Sequence, residues 1–236
     1  MLRAAEVLRL VSGSLQDLEP GIESRWKWEG GDDASIGLID FLNDALREIA
    51  IHRPDVNVVT ETIRLEPGMR QKLPCKKLHS ATNDATTLIE IVRNMGRNGD
   101  TPGRSVSAVD MTLLLAWADA SKSAPVIDNF AYDRLTNKDL YYVYPAVPEA
   151  GDVWVEATYA TAPRQITSPE DSLGVSGEYA TPIKHHILAS ILAGDNESSN
   201  AAKASYHMQV FNSLLGVKVQ TDAVWPKAKT SSSFGG

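Results

Sequence analysis

The chain has 236 residues, with 23 Lys+Arg against 30 Asp+Glu, a net charge of −7, and one cysteine. That length supplies a core for one large domain or two small ones, and 43% hydrophobic against 22% charged residues excludes global disorder. The acidic balance excludes electrostatic wrapping of duplex DNA, which needs a basic face. Cys75 alone excludes an internal disulfide framework and a cysteine-rich zinc site.

No stretch approaches the roughly 18 apolar residues of a transmembrane helix, so no membrane partner is expected. Glu6 and Arg9 interrupt the first fifteen residues, which therefore read poorly as a signal peptide. Asn196-Glu197-Ser198 is then a polar turn rather than a glycosylation site. A soluble intracellular protein is the expectation.

Leu8, Val11, Leu15 and Leu18 recur at helical spacing and predict an amphipathic helix over 2–18. Glu19-Pro20-Gly21 stops it. Residues 16–33 form an acidic, turn-rich loop that carries Trp26 and Trp28. Ile39, Leu42, Leu46 and Ile49 then define a second helix. Asp33 or Ser35 could cap its start, and Arg53-Pro54 ends it. Its apolar stripe is wide enough for more than one neighbour.

From residue 56 to 162 the period changes. Residues 58–65, a Pro67-Gly68 turn and residues 70–73 predict a β-hairpin. Residues 88–92 predict a further strand. A short helix over 111–118 follows Asp110 as its cap. Residues 126–132, 140–144 and 153–159 read as strands between Pro, Gly, Asn and Asp. Sequential strands with short turns favour an antiparallel sheet. Trp117 and Trp154 are expected in the core.

Residues 182–193 and 201–215 predict two helices joined by Gly194-Asp195-Asn196, with Gly216 at the C-terminal cap. Residues 217–236 show little periodicity. They hold Lys218, Lys227 and Lys229 against Asp222, a charge of +2, which leaves −9 on the rest of the chain. Fully extended, those residues would reach on the order of 65 Å. The predicted class is α+β: a helical bundle from N- and C-terminal helices, an inserted antiparallel β subdomain and an extended C-terminal tail. The divisions fall at 1–55, 56–165, 166–216 and 217–236.

Catalytic motifs are scarce. Gly174-Val175-Ser176-Gly177 lacks the pattern of a nucleophile elbow. The glycine-rich run from Gly96 to Arg104 lacks the Gly-Lys-Ser/Thr ending of a phosphate loop. It contains Gly-x-x-Gly, which clamps nucleic-acid backbone in some domains, but Asn98-Gly99 is a turn signal. None of the five histidines forms the helical pair that binds zinc with a glutamate. Cys75 and His79 lack further ligands, so no metal or cofactor is expected. Asp40, Asp44 and Glu48 share one strip of the second helix. They read as a solvated face relieved by Arg47 and His52, or as a subunit contact or acidic channel lining. Trp225, in the basic tail, has the character of an interface anchor.

Several stretches together resemble a phage family. Phe41-Leu-Asn-Asp-Ala-Leu-Arg-Glu-Ile49 precedes His52-Arg-Pro-Asp55, and Val92-Arg-Asn-Met-Gly96 leads to Thr101-Pro-Gly-Arg104. Tyr141-Tyr-Val-Tyr-Pro145 and Tyr159-Ala-Thr-Ala-Pro163 continue the pattern. Over approximately residues 34–216 the chain resembles the head-to-tail adaptors of tailed bacteriophages. The resemblance implies a virion protein, assembled in the host cytoplasm. It would form a ring, usually of twelve copies, between the portal and a tail or nozzle protein, with DNA passing through unbound. Under it, Asp40, Asp44 and Glu48 become candidates for the lumen or subunit interface. Val224, Trp225, Pro226 and Phe234 become candidates for portal contact. A nucleic-acid module using Arg93, Arg97 and Arg104 is the competing expectation, and a tail-associated hydrolase lacks a recognisable nucleophile–base set.

Overall fold

The computed structural model describes residues 2–15, 26–30, 36–119, 121–194 and 198–224, the last helix by backbone alone at 198–199 and 217–224. In chain order its elements are α1 (Ala4–Ser14), α2 (Leu38–His52), β1 (Val58–Arg64), β2 (Gly68–Lys72), α3 (Lys76–His79) and β3 (Ala85–Asn94). Then come β4 (Ser107–Ala108), α4 (Met111–Trp117), β5 (Asn129–Ala131), β6 (Leu140–Val147), β7 (Trp154–Thr161), α5 (Ala180–Ala193) and α6 (Ser198–Val224). The class is α+β. The chain divides into two compact units, Met1–Arg53 with Pro163–Gly236, and Pro54–Ala162.

In the first unit α5 packs against α1, α2 and α6. Its Ile183, Ile187, Leu188, Ala189 and Ile191 are all buried, so apolar residues surround the helix, as expected of one enclosed by neighbours. α1 contributes Val7, Leu8 and Val11, α2 contributes Leu38, Leu42, Leu46 and Ile49, and α6 contributes Ala204, Phe211 and Leu215.

The first two helices begin without a side-chain cap from the preceding residue. Backbone carbonyls brought in from elsewhere satisfy their first N–H groups instead. For α1 these are Asp171, accepting from Ala4 at 3.0 Å, and Pro169, accepting from Ala5 at 2.8 Å. For α2, Lys27 accepts from Leu38 at 3.0 Å and Trp28 from Ile39 at 2.9 Å. The approach at α2 is close because the preceding residue is Gly37, where a Cβ would lie 2.4 Å from the Gly30 nitrogen. Asp33 and Ser35, the expected caps, lie outside the described residues. The two tryptophans of the acidic loop hold this segment in place. Trp28 Nε1 donates to buried Ser12 at 3.1 Å, and Trp26 meets Phe41 edge-on at 6.1 Å.

α6 does not stop at Gly216 but continues to Val224. Residues 217–224 are thus helical rather than extended, rising ~1.5 Å each instead of ~3.3 Å. A glycine inside a helix costs only about 1 kcal/mol, and the first residue unable to continue the ladder is Pro226.

The second unit holds two sheets, in strand order β1-β7-β3 and β2-β6-β5-β4. Every pairing is antiparallel except β4 with β5. Side chains from both sheets share one cluster, including Ile63, Leu88, Ile91, Phe130, Tyr141, Val143, Val155 and Tyr159.

The predicted hairpin is corrected here: β1 pairs with β7 and β2 with β6, so the Pro67-Gly68 bend carries the chain between sheets. The fully buried Gln71 makes this possible. Its amide accepts from Glu66 N at 2.8 Å and donates to the carbonyls of Glu66 at 2.7 Å and Gly68 at 3.0 Å. Those backbone groups would otherwise need a strand partner.

The two tryptophans expected in the core are also corrected. Trp154 is half-buried. It sits at the opposite parity to inward-facing Val153, Val155, Ala157 and Tyr159, as alternation requires. Trp117 is 46% exposed, because α4 turns only Leu114 inward.

Candidate functional site

The acidic strip of α2 is at the surface but not uncommitted. Asp40 accepts from the Gly37 N–H at 2.9 Å, completing the cap of its own helix. Asp44 meets Arg47 at 3.7 Å and Glu48 meets His52 at 3.2 Å, all four side chains well exposed. This is the solvated face relieved by Arg47 and His52. Exposed pairs of this kind contribute little stability, roughly 0–1 kcal/mol.

The glycine-rich loop is a compact turn. Asn94 N donates to Arg104 O at 2.9 Å and Gly103 N to Asn94 O at 2.8 Å, closing its neck. Gly99, at φ +81, lies against the Trp154 ring, which a Cβ would meet at 3.0 Å. Two of the three arginines here are paired. Arg93 pairs with Glu156 at 2.9 Å and Arg104 pairs with Asp128. Such pairing offsets the positive potential that phosphate binding requires.

The histidines act structurally. His185 and His207 face each other across α5 and α6 with Nδ1 atoms 2.8 Å apart, so one ring donates and the other accepts. Burial, their mutual proximity and Lys184 hold the His185 pKa below its ordinary 6.5; burial and then Lys184 do the same for His207. His186 is buried against Phe211 at 5.0 Å, and burial depresses its pKa although Asp44 and Glu48 oppose the shift. His79 is fully buried, and its Nδ1 lies 3.5 Å from Cys75 Sγ and 3.3 Å from Cys75 N. The sequence pairing of Cys75 with His79 is thus real in space. Among the described residues no three potential ligands gather around a metal position.

Sequence reasoning missed two features. One is the His185–His207 contact, which joins residues 22 apart on different helices. The other is the set of exposed apolar side chains on α4, Leu113 at 57% and Trp117 at 46% exposure on one flank and Leu115 at 53% on the other. A signal for it existed: residues 111–118 carry no charge.

Of the expected portal contacts, Val224 ends α6 in backbone trace, and Trp225, Pro226 and Phe234 lie outside the described residues. No described helix is long and apolar enough to cross a membrane.

The chain matches the SU10 adaptor protein family over residues 2–231. It belongs to that family. The match takes in both compact units, more than the stretch of approximately 34–216 that carried the resemblance. No curated protein matches the chain. As a phage adaptor, the protein has a structural role in the virion, and family membership implies binding to portal and tail proteins rather than catalysis.

Proposed function

We propose that this adaptor assembles into a ring of copies, twelve by family resemblance, that joins the portal to the tail or nozzle and lets DNA pass. The carrying observation is how charge is distributed. Arg93 and Arg104 are neutralised by Glu156 and Asp128, while the carboxylates of α2 sit at the surface of a chain with net charge −7. A conduit for DNA must surround a polyanion without holding it, and an acidic wall does this by repulsion. Asp40, Asp44 and Glu48 are the proposed lumen or subunit-interface residues. The pairing of Arg93 and Arg104 counts against the nucleic-acid module that would use them with Arg97.

The C-terminal residues, with Trp225, Pro226 and Phe234 as apolar anchors, are the proposed portal contact. Docking would bury these aromatic side chains, the residue type that dominates interface energetics. Assembly belongs in the host cytoplasm. The test is electron microscopy of the protein mixed with portal rings. Coaxially stacked rings are expected, and truncation after Val224 should abolish them. Absence of stacking by the full chain overturns the adaptor arrangement. Undiminished stacking by the truncated chain overturns the role of the tail.

A further inference from the structure

Ten asparagines occur in the chain, and Asn98 alone among them is followed by a glycine. The pair stands at the tip of the loop between β3 and β4, where Asn98 is exposed and lies in a turn. Among the described residues no group holds the Asn98 side-chain amide by a hydrogen bond. Asn94, at the neck of the same loop, is the contrast. It is buried, both ends of its amide are engaged by Ile127 and Arg104, and Met95 follows it. One loop thus carries a locked asparagine and a free one.

The side-chain carbonyl carbon of an asparagine lies within reach of the next backbone nitrogen, and closing that contact makes a five-membered ring. A Cβ on the following residue obstructs the approach, and glycine has none. We propose that Asn98 is a site of spontaneous deamidation. The Gly99 nitrogen gives up its proton and attacks Asn98 Cγ; the Cγ–Nδ2 bond breaks, and ammonia leaves with that proton. Water then opens the resulting succinimide. Attack at Cγ restores the ordinary backbone and leaves aspartate. Attack at the α-carbonyl carbon breaks the original peptide link and leaves isoaspartate, whose backbone is one atom longer. One water enters and one ammonia leaves, with no oxidant, cofactor or partner.

The fold decides what the change does. Both products exchange an amide for a carboxylate and add a negative charge to a chain already at −7. That charge arises next to Arg97, which has no ion-pair partner among the described residues, whereas Arg93 and Arg104 are paired. The isoaspartyl product also pushes on Gly99. A Cβ there would lie 3.0 Å from the Trp154 ring and 3.2 Å from Thr62 Cγ2. Because Asn94, Gly103 and Arg104 fix the neck, an added backbone atom displaces the tip. A virion protein is not renewed after assembly, so an irreversible change of this kind accumulates with the age of the particle.

The test incubates the full chain in mildly alkaline buffer, which favours loss of the Gly99 proton. Peptide mass spectrometry then locates the amide-to-acid mass change, and an isoaspartate methyltransferase labels the isoaspartyl product. Acid should form at Asn98 ahead of every other described asparagine, in separable aspartyl and isoaspartyl forms. Asn98→Gln should remove both, because the longer side chain closes a larger ring far more slowly. The same chain unfolded in urea sets the rate that local sequence alone allows. The folded chain should convert within about tenfold of that rate, since an exposed turn needs little local opening. Stronger protection than this overturns the proposal. So does acid formation at Asn94 as fast as at Asn98, or methyl labelling of Asn98→Gln equal to that of the wild-type chain.

Discussion

Asn43 on α2 clasps the backbone of Ile166 with both ends of its amide, Nδ2 donating to the Ile166 carbonyl and Oδ1 accepting from its N–H, each at 2.8 Å. The second unit repeats the device. Asn94 holds the N–H and carbonyl of Ile127, again at 2.8 Å each, and also donates to Arg104 O at 3.0 Å. Both asparagines are buried, at 8% and 5% exposure. An amide side chain carries one acceptor and a donor group, matching what a single residue's backbone presents.

Asn43→Ala should therefore destabilise the protein by about 2–6 kcal/mol, since two buried backbone groups lose their partners at ~1–3 kcal/mol each. Asn94→Ala should cost at least as much, because three contacts go. Urea unfolding measures both. A loss under ~1 kcal/mol for either would show that water replaces the amide and the clasp carries no stability.

Stability should fall as pH drops from about 7.5 to 5. His79, His185, His186 and His207 all have folded pKa values below the ordinary 6.5, chiefly through burial. The sign follows from linkage: near and below pH 6.5 the unfolded chain binds protons that the folded chain refuses, so acid favours unfolding. The decline levels off below the folded pKa values. Replacing His207 with Gln should make it shallower, because one of the four groups is gone and an amide can bond to His185 without charging. Urea midpoints that stay constant from pH 7.5 to 5 would refute this.

Two glycines separate backbone strain from crowding. Gly151 has φ +98 and open space, whereas Gly99 has φ +81 and the Trp154 ring 3.0 Å from where its Cβ would be. Gly151→Ala should cost only the left-handed penalty, about 1–2 kcal/mol. Gly99→Ala should cost distinctly more and perturb Trp154 fluorescence. Equal costs would mean that Trp154 yields freely.

Weak DNA retention is expected in filter binding, with little change between about 50 and 200 mM salt, because Arg93 and Arg104 are already paired. Glu156→Gln combined with Asp128→Asn should release both arginines and create a salt-sensitive affinity. A steep slope in the wild-type chain would favour the nucleic-acid module instead.

Much of the local structure was legible in the sequence. Ile39, Leu42, Leu46 and Ile49 marked α2, Asp110 marked the start of α4, and alternation located β3, β6 and β7. The surface character of Asp40, Asp44 and Glu48, with Arg47 and His52 beside them, also followed from helical spacing alone. The helix starts were less legible, because the groups that cap α1 and α2 are carbonyls of Asp171, Pro169, Lys27 and Trp28 rather than neighbouring side chains. Trp117 was misplaced because a short apolar helix reads the same whether it is enclosed or presented.

Periodicity, punctuation and charge thus determined by themselves where the longer helices and strands lie, though not α3, β4 or the last turns of α6. They also determined that the class is α+β and that the chain is acidic. Those properties depend on residues close in sequence. Tertiary structure alone decided that β1 and β2 part into separate sheets, since Gln71 can replace a strand partner only once Glu66 and Gly68 fold around it. It also decided that His185 meets His207, that Asn43 and Asn94 grip isoleucine backbones 123 and 33 residues away, and that α4 faces outward. Each of these is set by which distant groups arrive at hydrogen-bonding or packing distance, and no local pattern records that.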